Sequence, residues 1–450
     1  MPLHVHFVGI KGTGMSALAQ ISAQLEDAVV TGSDVSERFF TDSVLERARI
    51  PVFEFSANNV QDKDLVVVSA AYPATHPEIV RAGELHIPVL SYPQYLGRLM
   101  SKKRGISVSG THGKTTTTAM IGLTMIQSGC DPLIIVGSDV PSIGGNTHCG
   151  QGDFFLAESC EYRRHFLNYS PEYLVITNID FDHPDYFPDL NDVIRAFQEF
   201  ARKVPSHGRV FIWAEDPHRR EIQASAPITT FGFSEEADIR AVDLVFSQEK
   251  CTMKILAGGK YAGDLALHLP GSHNVLNALA TIAVCREVGV PMPEILASLS
   301  RFNGSKRRFE HLGQRHGALI VDDYAHHPTE IRTTLEGARL SYPDRRIRAV
   351  FQPHTFSRTQ TLLHEFSQSF FAADEVVVAD IFASAREKNS PTLLSAAALA
   401  DLIREQGVNV RYLGDLNAIK DYLDKTIAPE DLILTLGAGD VYQVGQRLLG

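Results

Sequence analysis

Residues 109–118 read Ser-Gly-Thr-His-Gly-Lys-Thr-Thr-Thr-Thr, directly after the apolar run Gly105-Ile106-Ser107-Val108 and directly before the helix-forming stretch Ala119 to Gln127. Strand, glycine turn and helix in that order define a phosphate cradle. The turn lets backbone N–H groups close around a polyphosphate at the positive end of the helix, Lys114 supplies a mobile cation from a solvent-facing position, and the Thr115 hydroxyl suits Mg²⁺. The first glycine of the full G-x-x-x-x-G-K-T pattern would fall on Val108, so the match is G-x-x-G-K-T. The unit implies ATP or GTP chemistry.

The rest of the chain bounds what that chemistry serves. A length of 450 residues suggests roughly three domains at about 150 residues each. Net charge is −11, and the basic clusters Lys102-Lys103-Arg104, Lys306-Arg307-Arg308 and Arg345-Arg346 are short and scattered, which argues against a nucleic-acid partner. No apolar run approaches the roughly 20 residues of a membrane span, and no secretory leader precedes the first strand. Five cysteines without a C-x-x-C pair read as reduced thiols, so a cytoplasmic location is expected. Cys160, the only one inside a motif, reads as a small buried residue.

Three segments follow. In the first, short β-rich runs (His4 to Ile10, Ala28 to Gly32, Leu65 to Ala70) alternate with helical stretches, the pattern of a parallel sheet with crossover helices. Its first turn places Gly9, Gly12 and Gly14 at relative positions 0, 3 and 5, whereas a dinucleotide fingerprint requires 0, 2 and 5. A diphosphate can still lie on the helix beginning near Met15, with Asp34 accepting a hydrogen bond from a ribose or base. In the second segment, Glu158 and His183 fall at or just past strand ends, the side of a parallel sheet where ligands bind. Residues 238–270 alternate like an antiparallel meander, and Asn274 and Asn277 share one face of the helix opened by Gly271. The third segment, from about Gly313, is again βαβ, with motifs after each strand: Asp322 to Pro328, Gln352 to Arg358 and Gly437 to Asp440.

Taken in order, G-I-K-G-T-G-M-S, G-T-H-G-K-T-T-T-T, T-N-I-D-F-D-H, G-S-H-N-V-L-N, R-R-F, D-D-Y-A-H-H-P-T-E, F-Q-P-H-T-F-S-R-T and G-A-G-D resemble the Mur ligases along essentially the whole chain. The resemblance implies an α/β fold of three domains. These are a Rossmann-like UDP-sugar domain over 1–102, a P-loop ATPase domain with added antiparallel strands over 103–312, and a Rossmann-like amino-acid domain over 313–450. The branch it resembles joins L-alanine to UDP-N-acetylmuramate at the expense of ATP, with Mg²⁺, in peptidoglycan precursor synthesis. A sister branch attaches a recovered tripeptide to the same UDP-sugar acid. A monomer or homodimer is expected, without nucleic-acid or membrane partners. A nicotinamide-dependent dehydrogenase and an ATP-clamped UDP-sugar sensor are the readings from other classes.

The residue roles carried by the resemblance are these. Gly110, Thr111, His112, Gly113, Lys114, Thr115 and Thr116 cradle the ATP phosphates. Asn274, Asn277 and Arg308 contact adenine and phosphates, Asp323 the ribose and Tyr324 the base. Gly12, Gly14, Met15, Ser16 and Asp34 hold the UDP substrate. Thr115, Glu158 and His183 hold the metal, and Lys114, His183, His326 and Arg358 act on the reacting groups. From residue type alone His183 would be structural, since Mg²⁺ prefers oxygen. The tandem His326-His327 also fits a helix start before Pro328, and Arg358 also fits a surface salt bridge. Two departures stand out: Thr355 replaces an arginine common in the Q-P-H motif, and Ser159-Cys160-Glu161-Tyr162-Arg163-Arg164-His165 replaces a more acidic segment. Either another cation, such as Arg163 or Arg164, compensates for the charge missing at Thr355, or affinity for the amine is weaker than in arginine-bearing relatives.

Overall fold

The computed structural model describes residues 2–248, 250–383 and 394–450. Three sheets succeed one another. The first has five parallel strands in the spatial order Val52–Phe53, Val29–Ser33, His4–Val8, Leu65–Val68, Val89–Ser91. The chain reverses its winding direction at His4–Val8, and the glycine turn leaves that strand at its C-terminal end, the crevice where open α/β sheets take ligands.

The second sheet has ten strands. Arg104–Ser109 lies between Phe154–Glu158 and Tyr173–Ile176, parallel to both. Three loops therefore leave three neighbouring strands at one edge: the phosphate loop, the segment from Ser159, and the segment Thr177 to His183. Every residue of Tyr173–Ile176 and nearly all of Arg104–Ser109 is buried, as strands covered by helices on both faces must be. The expected meander is present as Ile239–Phe246, Cys251–Ala257 and Lys260–Leu267, antiparallel to one another. The phosphate-loop helix starts at Lys114, so the four threonines form its first turns.

The third sheet has six strands, with Ala318–Asp323, Asp431–Leu436 and Arg346–Phe351 adjacent and parallel. Its first strand, Glu310–Arg315, is an antiparallel edge that straddles residue 312. The chain thus enters the third sheet a few residues before the division expected at 312/313. Glu310 is in the ladder because it pairs with Asp322 across a hairpin, a register that a βαβ pattern alone does not signal.

One core runs unbroken from the first sheet's helices into the second sheet's. Tyr95, Leu96 and Leu99 pack with Phe166, Phe197 and Phe200. Complete burial of such side chains stabilises by about 1.5–3 kcal/mol each, which fixes how the first two sheets sit together. At the same seam Gly97 meets the Asn168 carbonyl so closely that a Cβ would stand 2.1 Å from the oxygen.

Candidate active site

The phosphate loop is held open by its own backbone. Gly113 has φ +79°, and a Cβ there would approach Asn277 Oδ1 to 2.5 Å, so a side chain is excluded by conformation and by contact. Asn277 is fixed in turn, accepting from the Thr117 hydroxyl (3.1 Å) and donating to Asn274 Oδ1 (3.2 Å). Asn274 donates to the Pro270 carbonyl at 2.8 Å. The two asparagines do share one helix face, and that face buttresses the loop.

Lys114 is not solvent-facing. Its side chain is 13% exposed, and Nζ donates to the carbonyls of Gly110 (2.6 Å) and Thr111 (2.9 Å) and pairs with Glu161 Oε2 at 3.1 Å. Burial works against its charge, but Glu161, with help from Glu158, keeps its pKa above the ordinary lysine value. The lysine curls back because a helix-start side chain can satisfy the carbonyls its own loop leaves unpaired.

Beside it, the Thr115 hydroxyl donates to Glu158 Oε1 (3.0 Å), and Glu158 Oε2 accepts from the Gly137 amide (2.7 Å). Arg308 Nη2 reaches Thr115 Oγ1 at 3.4 Å from the segment entering the third sheet. His183 has φ +58°, its amide donates to Asp182 Oδ1 (2.6 Å), and its Nε2 stands 3.9 Å from Glu161 Oε1. Glu158 and Glu161 both act on the Lys114 charge, so Thr115, Glu158, Glu161 and His183 are grouped around that lysine. Three oxygen donors and one imidazole suit Mg²⁺, and a lysine ammonium beside them suits a phosphate bound to it.

The third sheet delivers its loops against this edge. Arg358 is buried and grips Asp182 with two bonds, Nε to Oδ1 (2.8 Å) and Nη2 to Oδ2 (3.2 Å). The pair sets the third sheet's loop against the residue before His183, a buried salt bridge between domains and not a surface one. Burial pushes the Asp182 carboxyl up, yet the Arg358 guanidinium, the largest opposing cause, holds it well below the usual range. His326 Nδ1 contacts the Tyr324 carbonyl at 2.9 Å, and burial lowers its pKa to about 3 against the pull of Glu330, leaving a neutral imidazole. His327 caps the helix Pro328–Ser341, with Glu330 accepting from the amides of His326 (3.0 Å) and His327 (3.3 Å), so the helix-start reading holds for this pair. His112 bridges Asp180 Oδ2 and Glu330 Oε1, at 3.2 Å each.

A cavity of about 560 Å³ lies between the second and third sheets, lined by His112, Gly113, Thr116, Asn274, Asn277, Arg308 and Asp323 from the expected set. Trp213, Phe231 and Phe233 add an apolar wall. Asp323 accepts from the amides of Phe309 (2.7 Å) and Ala325 (2.8 Å), and burial raises its pKa to about 6 against Arg308. Tyr324 is elsewhere: its ring packs under the guanidinium groups of Arg307 (5.0 Å) and Arg308 (5.1 Å) and does not line the cavity. Gly110 and Thr111 lie beneath, with φ +129° at Gly110 and the Thr111 hydroxyl donating to the Asp180 carbonyl at 3.1 Å.

The expected UDP residues form a separate group. Thr13 starts the helix, Met15 and Ser16 are buried in it, and a Cβ at Gly14 would strike the Tyr92 ring at 2.8 Å. Asp34 is already engaged: Oδ2 accepts from the Lys11 amide (2.7 Å), and Oδ1 from the Val35 amide (2.8 Å) and the Tyr72 hydroxyl (3.2 Å). A ribose or base reaches Asp34 by sharing or displacing Tyr72. The turn nevertheless abuts the second sheet, where Asn146 Nδ2 donates to the Thr13 carbonyl at 3.0 Å.

Glu161, Asp180, Asp182 and Glu330 were not singled out from sequence. Three of them stand inside quoted motifs, where a carboxylate within T-N-I-D-F-D-H or D-D-Y-A-H-H-P-T-E was signal enough. Glu161 carried no spacing signal.

Three protein-family models cover the chain in succession: "Mur ligase family, catalytic domain" over residues 4–104, "Mur ligase middle domain" over 108–285, and "Mur ligase, glutamate ligase domain" over 307–439. The UDP-N-acetylmuramate–L-alanine ligase of Desulfitobacterium hafniense (strain Y51) is 71% identical over 449 residues, 100% of both chains. That of Acetivibrio thermocellus is 44% identical, over 99% of this chain and 95% of its own. Among solved structures, the UDP-N-acetylmuramate-alanine ligase of Thermotoga maritima superposes with a TM-score of 0.82 at 30% identity, covering 99% of this chain and 98% of that one. A murein peptide ligase from Psychrobacter arcticus superposes with 0.70 at 26% identity, with the same coverage. Strand order, loop positions and end-to-end similarity agree, and this chain belongs to the Mur ligase family.

Proposed function

We infer that the protein forms the amide bond between UDP-N-acetylmuramate and L-alanine, converting ATP to ADP and phosphate through an acyl phosphate. One observation carries the chemistry: Lys114 of the phosphate loop and Arg358 of the third sheet converge on the single segment Asp182-His183, through Glu161 and Asp182 respectively. The choice of amine follows the two relatives at 71% and 44% identity, both alanine ligases, over the murein peptide ligase at 26%.

A carboxylate is a poor electrophile, and moving the γ-phosphoryl group to it brings negative charge against negative charge. Placement of cations is therefore the main contribution a protein can make. In this reading ATP lies with its base in the 560 Å³ cavity and its phosphates on the loop from Gly110 to Thr116. Lys114 leaves the loop carbonyls for the γ-phosphate, and Arg308 follows the charge from Thr115. Thr115, Glu158, His183 and Glu161 would hold Mg²⁺, which when bound neutralises phosphate oxygens. Neutral His326, within electrostatic reach of Arg358, suits an amine that must shed a proton on attack. The glycine turn takes the UDP diphosphate, and a cavity of about 400 Å³ beside Lys11, Asp34 and Phe53 has room for the nucleoside. The substrates ATP and a UDP-sugar, with no membrane-crossing helix among the described residues, suit a cytoplasmic enzyme.

Incubation with UDP-N-acetylmuramate, ATP and Mg²⁺ plus L-alanine, glycine, L-serine or L-alanyl-γ-D-glutamyl-diaminopimelate, read by mass spectrometry, tests the reading. L-alanine is expected to give the highest kcat/KM, with leakage to glycine and serine of about 1 part in 10 to 200. A higher kcat/KM for the tripeptide moves the protein to the recycling branch.

A further inference from the structure

The segment after Glu158 breaks two rules of local structure at once. Arg163 and Arg164 are consecutive, non-glycine, and both left-handed, with φ +52° and +56°. Such residues persist where the surroundings over-determine them, and that occurs chiefly at ligand-holding loops.

The two arginines then diverge. Arg164 is committed: Nη2 pairs with Asp192 Oδ1 at 2.9 Å, Nη1 stands 3.8 Å from Glu199, and the guanidinium lies 5.8 Å from the Phe187 ring. Arg163 is exposed, and among the described residues it has neither an ion-pair nor a hydrogen-bond partner. Its guanidinium stacks on the Tyr162 ring at 5.4 Å, and that ring lies 4.8 Å from the His183 ring. Tyr162 is pinned by its hydroxyl, which donates to Asp185 Oδ2 at 2.8 Å. An uncommitted cation is thus held on an aromatic platform one ring away from the reacting locus, while Lys114 and Arg358 are each neutralised by a carboxylate.

Position decides which substrate it meets. The segment Tyr162–Asn168 packs on the first domain's helix Tyr92–Met100, whose Tyr92 borders Gly14 of the glycine turn. The segment that carries Arg163 therefore joins the domain of that turn to the domain of the phosphate loop. Charge agrees: the sugar nucleotide carries a diphosphate and a carboxylate, whereas the amino acid is a zwitterion whose own ammonium offsets its carboxylate. A guanidinium also matches phosphate and carboxylate oxygens two at a time.

We propose that Arg163 is a substrate-binding residue that grips an anionic group of the UDP-sugar acid, and that Tyr162 and Arg164 are the platform and anchor that aim it. The proposal rests on the functional reading above only in naming the sugar nucleotide. Steady-state kinetics of Arg163→Gln and Arg163→Lys, with each substrate varied in turn, test it. Expected is a rise in KM for UDP-N-acetylmuramate of about tenfold or more in Arg163→Gln, with KM for ATP and amine within about twofold and a partial return in Arg163→Lys. Direct titration of UDP-N-acetylmuramate without ATP should show the same loss, with an unchanged melting temperature. An unchanged KM for the sugar nucleotide, a rise confined to L-alanine, or a uniform loss with lowered melting temperature would overturn it. Because the tripeptide-adding alternative consumes the same sugar nucleotide, the comparison reads out with whichever amine the wild-type protein accepts. A change of amine overturns the functional reading and leaves this one standing.

Discussion

Two glycine turns in this molecule look alike in sequence and behave differently in space. Gly9 to Ser16 and Gly110 to Thr116 each leave a central parallel strand and enter a helix, and each contains a lysine. In the second, Lys114 folds into the loop and lies on the carbonyls of Gly110 and Thr111, beside Glu158 and Glu161. In the first, Lys11 turns away from its glycine loop into a buried pairing: its Nζ donates to the Glu37 carbonyl (2.8 Å) and pairs with Asp42 (3.0 Å). The backbone offers an anion seat in both cases. Only the second adds a cation and hard donors aimed at that seat, so one turn can hold a diphosphate and the other can also transfer a phosphoryl group.

The largest expected effect separates the two lysines. Lys114→Ala should cut kcat by about a hundredfold or more, the loss of about 3 kcal/mol that follows removal of a cation from a transferring phosphoryl group. Lys11→Ala should leave kcat within about threefold, because its partners, the Glu37 carbonyl and Asp42, lie on its own domain and away from the phosphate loop. Phosphate release by both folded variants decides it. Comparable turnover from both would erase the distinction between the turns.

Next comes the metal. Glu158→Gln, Glu161→Gln and His183→Ala should each raise the Mg²⁺ concentration for half-maximal rate, by about tenfold, while Asp34→Asn should not move it. Omission of Mg²⁺ should abolish turnover of the wild type. A Glu161→Gln variant with wild-type metal dependence would confine Glu161 to pairing with Lys114.

Why was one side of this site legible and the other not? Gly113, Lys114 and Thr115 could be placed from spacing because a strand, a tight turn and a helix fix the positions of adjacent residues without help from distant chain. Glu158 was legible because a strand end has one direction. Glu161 was not, since it reaches Lys114 through an irregular segment containing two left-handed arginines, and no periodicity encodes that path. The Asp182–Arg358 pair joins residues 176 positions apart, which only the packing of two domains can decide. Tyr324 took its role from the family resemblance alone, and its ring packs against Arg307 and Arg308, a contact that no spacing in the sequence encodes. Lys114 was placed at the right locus with the wrong exposure, because sequence shows a flexible cation and not the carbonyls that hold it.

The glycines sharpen the comparison further. Gly14→Ala would push its Cβ into the Tyr92 ring, and Gly113→Ala into Asn277 Oδ1 at a backbone angle that alanine resists. Overpacking of this kind costs about 1–3 kcal/mol. If the turns serve separate substrates, Gly14→Ala should raise KM for UDP-N-acetylmuramate by about tenfold and leave KM for ATP alone, and Gly113→Ala should do the reverse. Crossed effects would mean that the two turns move as one unit.

The smallest effect concerns a group that only the second turn has. His112 sits inside the phosphate loop yet bridges Asp180 of its own domain and Glu330 of the third. Burial lowers its pKa, but the two carboxylates outweigh that and lift it from the ordinary histidine value to about 9. A raised folded-state pKa means that the bridge stabilises fully below the unfolded value of about 6.5 and is lost as pH rises through about 9. The melting temperature of wild type should therefore exceed that of His112→Gln by a few degrees near pH 6, at about 2–4 °C per kcal/mol, and the gap should close by about pH 10. No such bridge attaches to the first turn, since the stretch Gly9 to Ser16 contains no histidine. A gap that persists above about pH 10 would show that His112 contributes packing and neutral hydrogen bonds, and that the link between the phosphate loop and the third domain does not depend on its charge.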